Sequence, residues 1–220
     1  MSAPTPSLRL VVLALVTLCI VASLAGAKGQ DKNVLKIAVV NPGKLLTEYK
    51  FTIKSDADLK TKQNDVLTEL NSWDQHRLLS EADQKTLSQI AIKENNKQAL
   101  AAAEMATKQR LEETYKRVFD EFLSLQGKQQ PNQAEQDRLK ELNRMELDTS
   151  KRIKERQQAA QDDLQKQAAA VREKMDSDVR TNIIEVAKQK GYNLVFSSEV
   201  VLFCDNDLTD EVLKKLNKGQ

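Results

Sequence analysis

Glycine and proline all but vanish from this chain once it is under way. Past residue 43 they occur only as Gly127, Pro131, Gly191 and Gly219, so residues 44–126 and 132–190 contain neither. Both spans are filled with Ala, Leu, Glu, Gln, Lys and Arg, whose side chains lose little freedom in a helix. With no breaker inside it, each span reads as long helix. One interruption is written in: Ser80 precedes Glu81, Asp83 and Gln84, an N-cap followed by an acidic first turn, so a helix restarts near residue 81.

The spacing of apolar residues says how these helices pack. Leu164, Ala168, Val171, Met175, Val179, Ile183 and Val186 recur at steps of three and four, one narrow seam that meets one partner. Upstream, Leu111, Tyr115, Val118, Phe122 and Leu125 are answered by Leu139, Leu142 and Met145 across "GKQQPNQAEQ", so residues 127–136 are the tip of a helical hairpin. Around "KENNKQALAAAEMATKQ" and "DTSKRIKERQQAAQDD" the seam thins to Ala, Asn, Gln and charge, which predicts a weakly packed middle able to bend. The first arm is longer than the second, and the break near Ser80 must absorb the difference.

The ends differ in kind. "VLKIAVVN" is short, β-branched and closed by Asn41-Pro42-Gly43, while "NLVFS" and "VVLFCD" flank Ser198-Glu199 as a β-hairpin would. Three strands are predicted, followed by a short helix with Thr209 as its N-cap, Asp210 and Glu211 in its first turn and Lys214, Lys215 and Lys218 toward its end. So small a sheet cannot bury enough surface beside such long arms. Ile37, Val39, Leu194, Phe196, Val201 and Phe203 therefore need a further surface to cover them, and a second copy of the chain is the nearest one. A symmetric homo-oligomer joined through the sheet is the expectation.

At the start, Arg9 precedes an apolar run from Leu10 to Leu24, and Ala25-Gly26-Ala27 offers a small-x-small cleavage site. This is the pattern of a signal peptide, cleaved after about Ala27. Cleavage removes Arg9 and no acidic residue, so the 34 basic groups fall to 33 against 32 acidic ones, leaving no global field to recruit nucleic acid. Once Cys19 is gone Cys204 is alone, and it cannot staple its own chain. Aromatics at 4% and charged residues at 30% supply too little bulk for one compact core, so the shape is elongated.

The leader, "LKIAVVNPGKLLTEYK", a charged helical hairpin, and then "VREKMDSDVRTNIIEVAKQKGYNLVFSSEVVLFCDNDLTDEVLKKLN" together resemble the Skp/OmpH family of periplasmic chaperones. The likeness is close at residues 34–49 and 171–217 and is one of layout between them. It implies an α+β fold, mostly α: a long antiparallel helical hairpin with coiled-coil-like arms on a small β-sheet body. The division is then leader 1–27, first strand and turn 28–43, arms 44–190, and strand hairpin with closing helix 191–220. The resemblance also implies a homotrimer whose arms surround a cavity and keep unfolded outer-membrane β-barrel proteins soluble in the periplasm without ATP. A membrane contact is left open, but not a stable anchor. The rival expectation is an envelope scaffold or adaptor whose coiled coil binds one folded partner.

No chemistry competes with that reading. His76 is the only histidine, which removes a two-histidine metal site, and no glycine-rich stretch cradles a phosphate, so no catalytic residue, metal or cofactor is expected. Trp73, with Leu70, reads as seam packing and Cys204 as a buried structural thiol. Pairing the arms about residue 130 brings Lys108, Arg110, Lys116 and Arg117 toward Lys151, Arg152, Lys154 and Arg156. These read as a solvated face or, more sharply, as a basic belt that attracts clients.

Overall fold

The computed structural model describes residues 35–219. The leader of residues 1–27 lies outside the described residues. Strand β1 (Ile37–Val40) leads into a short helix α1 (Pro42–Glu48), and α2 (Lys50–Gln75), α3 (Glu81–Asn95) and α4 (Ala102–Gln126) follow. The second arm is one unbroken helix, α5 (Gln133–Lys190); strand β2 (Leu194–Ser197) and helix α6 (Thr209–Leu216) complete the chain. This is the mostly helical α+β architecture expected.

The helix ends follow the local chemistry. Asn41 caps α1 by accepting from the Lys44 N–H, with Pro42 at the first helical position, where its missing N–H costs nothing. Ser80 accepts from the Asp83 N–H and starts α3 where the sequence placed it. Asn132 and Glu135 form a reciprocal capping box at the head of α5. At its foot, Gly191 takes the left-handed conformation (φ 75°). There the Tyr192 N–H reaches back to the Ala187 carbonyl, and both residues join the core of the base.

The sheet departs from expectation. β1 and β2 are parallel, with Ile37 opposite Leu194 and Val39 opposite Phe196. Residues 200–205 form no strand, and among the described residues there is no β-hairpin. The reason lies on the other edge of β1, where the Val39 N–H donates to Asn206 O at 2.8 Å and the Leu208 N–H donates to Val39 O at 2.9 Å. The chain must cross from one edge of β1 to the other after β2, and residues 198–205 are spent on that crossing. Thr209 also differs: it opens α6 but does not cap it, and its hydroxyl accepts the Asn41 N–H at 2.8 Å, tying α6 to the end of β1.

The base core gathers Ala38, Val40, Leu45, Tyr49, Val186, Ala187, Leu208, Val212 and Leu216, with Met175, Val179 and Ile183 of the α5 seam packed on it. A second cluster near the tip joins Phe122 and Leu142, with Tyr115, Val118, Leu125, Leu139 and Met145 around them, as the seam required.

Between base and tip the first arm folds back on itself. α2 pairs antiparallel with α5 in one steady register, from Tyr49 with Asp178 through Lys62 with Asp163 to Arg77 with Ser150. The next pairing is Glu121 of α4 with Arg138. Between those last two contacts α5 advances by about three turns, while the first arm uses all of residues 78–120. The surplus is taken up by α3, which returns alongside α2 until Asn96 meets Asp65, and by α4, which then runs outward again. The expected break at Ser80 is a reversal of direction. A second reversal, at residues 96–101, has no glycine or proline to announce it.

Candidate functional site

Strand alternation gives the sheet two faces. Ala38 and Val40 turn toward the base core. Ile37, Leu194 and Phe196 lie on the opposite face and are exposed. Val39 shares that face but is 5% exposed, already covered by its own chain through the pairing with residues 206–208, so the expectation that it needs an outside surface is corrected. Val201 is half-buried and Phe203 is 80% exposed. Sequence reasoning passed over their neighbours: Val200 is exposed and Leu202 stands wholly in solvent. Four consecutive apolar residues in a polar setting were the available signal, hidden because a strand would have turned alternate ones inward. Together they make an apolar surface on a base otherwise well packed.

Cys204, in the same crossing segment, is half-buried, less enclosed than the structural thiol expected. Its Sγ faces the Ile37 carbonyl at 3.9 Å.

The proposed basic belt does not assemble. Pairing about residue 130 holds only near the tip, because α2 and α3 lie against α5 further down. Arg156 bonds Glu69 of α2 at 2.9 Å. Arg152 donates to Gln84 Oε1 at 2.6 Å and to Thr149 Oγ1 at 3.1 Å, with its guanidinium over the Trp73 ring. Lys108 is held by Glu94 of α3, and that carboxylate raises the lysine's pKa above its usual value. Lys151 faces Glu155 one turn on. Arg110, Lys116, Arg117 and Lys154 form no ion pair among the described residues. Trp73 is half-buried in the seam, as read from the sequence.

The arms are bound by charge as much as by apolar contact. Arg138 binds both oxygens of Glu121 and also Glu141, which holds the Glu121 carboxyl below its ordinary pKa. At the base, Asp178 accepts from Lys174 and from the Tyr49 hydroxyl, and the lysine is the larger cause of its depressed pKa. Burial pushes the Tyr115 phenol up, where it meets the edge of His76. Along these arms Ile53, Leu67, Met105, Phe119, Leu123 and Leu147 stay open to solvent.

Paired arms with open apolar side chains, set on a small base with an apolar face of its own, define a protein that works through surfaces. The family described as outer membrane protein (OmpH-like) matches residues 36–216, from β1 to the end of α6. The chain belongs to this OmpH-like family, a family of chaperones. A comparison with curated proteins gives no match.

Proposed function

We propose that this protein is an ATP-independent holdase of the periplasm, which keeps unfolded outer-membrane β-barrel proteins from aggregating by enclosing them between the arms of a homotrimer. The observation that carries the reading is the second arm: a single 58-residue helix, about 85 Å long, with its packing partners on one side only. Such an arm reaches far beyond its base and offers many weakly adhesive positions. The exposed face of the sheet and the crossing segment supply apolar surface for the copies to share, and Ile37, Leu194, Phe196, Val201 and Phe203 are the contacts we assign to that joint. Holding is distributed: each contact is weak, enclosure sums them, and a client leaves when its own folding offers more. The leader at residues 1–27 would carry the chain across the inner membrane. Among the described residues no helix is long and apolar enough to cross one.

The test is suppression of aggregation without nucleotide. Several unrelated β-barrel proteins, diluted from urea, should stay soluble at near-stoichiometric amounts of this chain. Protection of none of them, together with tight binding of one folded envelope protein, would favour the adaptor reading.

A further inference from the structure

We infer that the apolar crossing segment of one copy, residues 199–205, docks into a lysine-rimmed cleft between the ends of α5 and α6 on the next copy, so that the copies join head to tail. The inference rests on the homotrimer of the holdase reading and supplies the other half of its joint.

The base is polarised in charge. From Gly191 to Leu213 there is no lysine or arginine, while Glu199, Asp205, Asp207, Asp210 and Glu211 are acidic. Lysines stand just outside that stretch on both sides: Lys188 and Lys190 end α5, and Lys214, Lys215 and Lys218 lie in the last turn of α6 and just past it. The two helices pack together in the base core, so their basic ends meet. There an open cleft of about 400 Å³ is lined by Val186, Lys190, Lys214, Lys215 and Lys218, with Glu211 on its wall. The lysine stems give it an apolar lining under a charged rim. Lys190 is paired with Glu211 and Lys215 with Glu185, but Lys214 and Lys218 form no ion pair among the described residues.

The crossing segment carries the opposite pattern. Exposed Glu199 and Asp205 bound Val200-Val201-Leu202-Phe203-Cys204, from which Val200, Leu202 and Phe203 project into solvent. Neither acid forms an ion pair among the described residues. An apolar stretch between two free carboxylates matches an apolar cleft rimmed by free ammonium groups: burial of Leu202 and Phe203 supplies the affinity, and the charges set the register.

One chain cannot bring the two together by itself. The segment leaves β2 where the Ser198 N–H meets Val40 O at 2.7 Å, and arrives where Asn206 Nδ2 meets Ile37 O at 3.1 Å. It passes over the face of the sheet turned away from α5 and α6, because the base core fills the other face. The cleft lies between those two helices, on the far side of the sheet. The contact is therefore between copies and joins unlike surfaces, and such interfaces close into rings rather than two-fold dimers. Helix dipoles favour lysines at a C-terminus, but they account neither for the cleft nor for an acid-bounded apolar segment on the opposite side of the base.

The experiment exchanges the charges. Three variants of the full chain, expressed with its leader, are compared by sedimentation over a range of concentrations: Lys214→Glu with Lys218→Glu, Glu199→Lys with Asp205→Lys, and all four together. Each pair alone sets like charges against each other and should raise the concentration at which trimers dissociate about tenfold or more. The fourfold exchange should return it to within about threefold of the unsubstituted chain. All three should keep the helical circular dichroism, since these side chains are exposed. Raising the salt from about 50 to 500 mM should weaken the unsubstituted trimer and leave the pairwise variants little changed. A trimer indifferent to either pair, or a fourfold exchange that fails to restore it, would overturn the inference and leave the holdase reading standing. So would a Lys214→Glu, Lys218→Glu trimer that assembles normally but protects clients less well, because the cleft would then hold the client. An unsubstituted chain that stays monomeric would remove the trimer of the holdase reading and this inference with it.

Discussion

Arg156 donates through Nε to Glu69 Oε2 at 2.9 Å, joining the middle of the long helix to the middle of the first arm. Arg156 Nη2 lies at the same distance from the same oxygen, and the glutamate side chain is largely enclosed. A charged pair with two donors and partial burial is worth more than an exposed one. In a double-mutant cycle of Arg156→Ala and Glu69→Ala, a coupling of about 1 kcal/mol in thermal or urea unfolding is expected. A coupling near zero would show that apolar packing alone holds the arms here.

Two helix ends make the same demand for a left-handed residue and meet it with different side chains. Gly191 and Lys97 each follow a helix, and each is succeeded by an N–H that bonds five residues back, Tyr192 to Ala187 and Gln98 to Lys93. A side chain at 191 would meet nothing within 4 Å, so Gly191→Ala should destabilise by backbone strain alone, about 1 kcal/mol. Lys97→Gly should stabilise by a similar or smaller amount, about 0.5 kcal/mol. Unfolding midpoints in urea check both signs at once.

Acid should loosen the arms at both ends. Asp178, Glu121 and Glu135 all have pKa values lowered by cationic partners: Lys174, Arg138 and Lys128 respectively. For a carboxyl whose folded pKa is depressed, the stabilisation is complete above its unfolded value, 3.8 for Asp and 4.5 for Glu, and is lost as pH falls through the lower folded value. Stability should therefore be level near neutrality and drop below about pH 4.5, with Asp178→Asn flattening the part due to the base. An unchanged acid limb in that variant would mean that Asp178 contributes nothing to it.

Residues 28–220 should sediment as a trimer at micromolar concentration. Phe203→Asp should weaken assembly while leaving the helical circular dichroism intact, because Phe203 touches little of its own chain. Val39→Asp is a poorer probe, since Val39 is buried within the base and its charge would unfold the strand itself. A Phe203→Asp protein that still forms the full trimer would place the interface elsewhere.

Much of this architecture was legible in the residue order. Helix boundaries at Ser80, Asn132 and Gly191 follow from caps with one dominant local outcome, and the tip cluster follows from apolar spacing on either side of Pro131. The reversal at 96–101 was hidden, because Lys97 carries no turn signature and "NNKQALAAA" suits a helix as well as a stop. Periodicity shows that a residue faces a partner but not which partner: Leu111 reads as part of the tip seam, yet packs on Leu79 and Leu87. The same ambiguity undid the basic belt, whose members are apportioned among α2, α3 and solvent. In the base, β1 pairs in parallel with β2 on one edge and meets residues 206–208 on the other, long-range contacts that no short-range pattern records.

The central claim is that clients are enclosed by the arms rather than gripped at one point, and shortening the arms tests it most directly. Matched whole heptads removed from α4 and α5 on either side of residue 130 keep the helical phase of the seam and leave the base and its assembly untouched. The quantity to measure is the concentration that halves aggregation of a large unfolded β-barrel protein and of a small one. The shortened chain is expected to protect the small client as well as the full-length chain does and to fail on the large one. Equal protection of both would contradict enclosure.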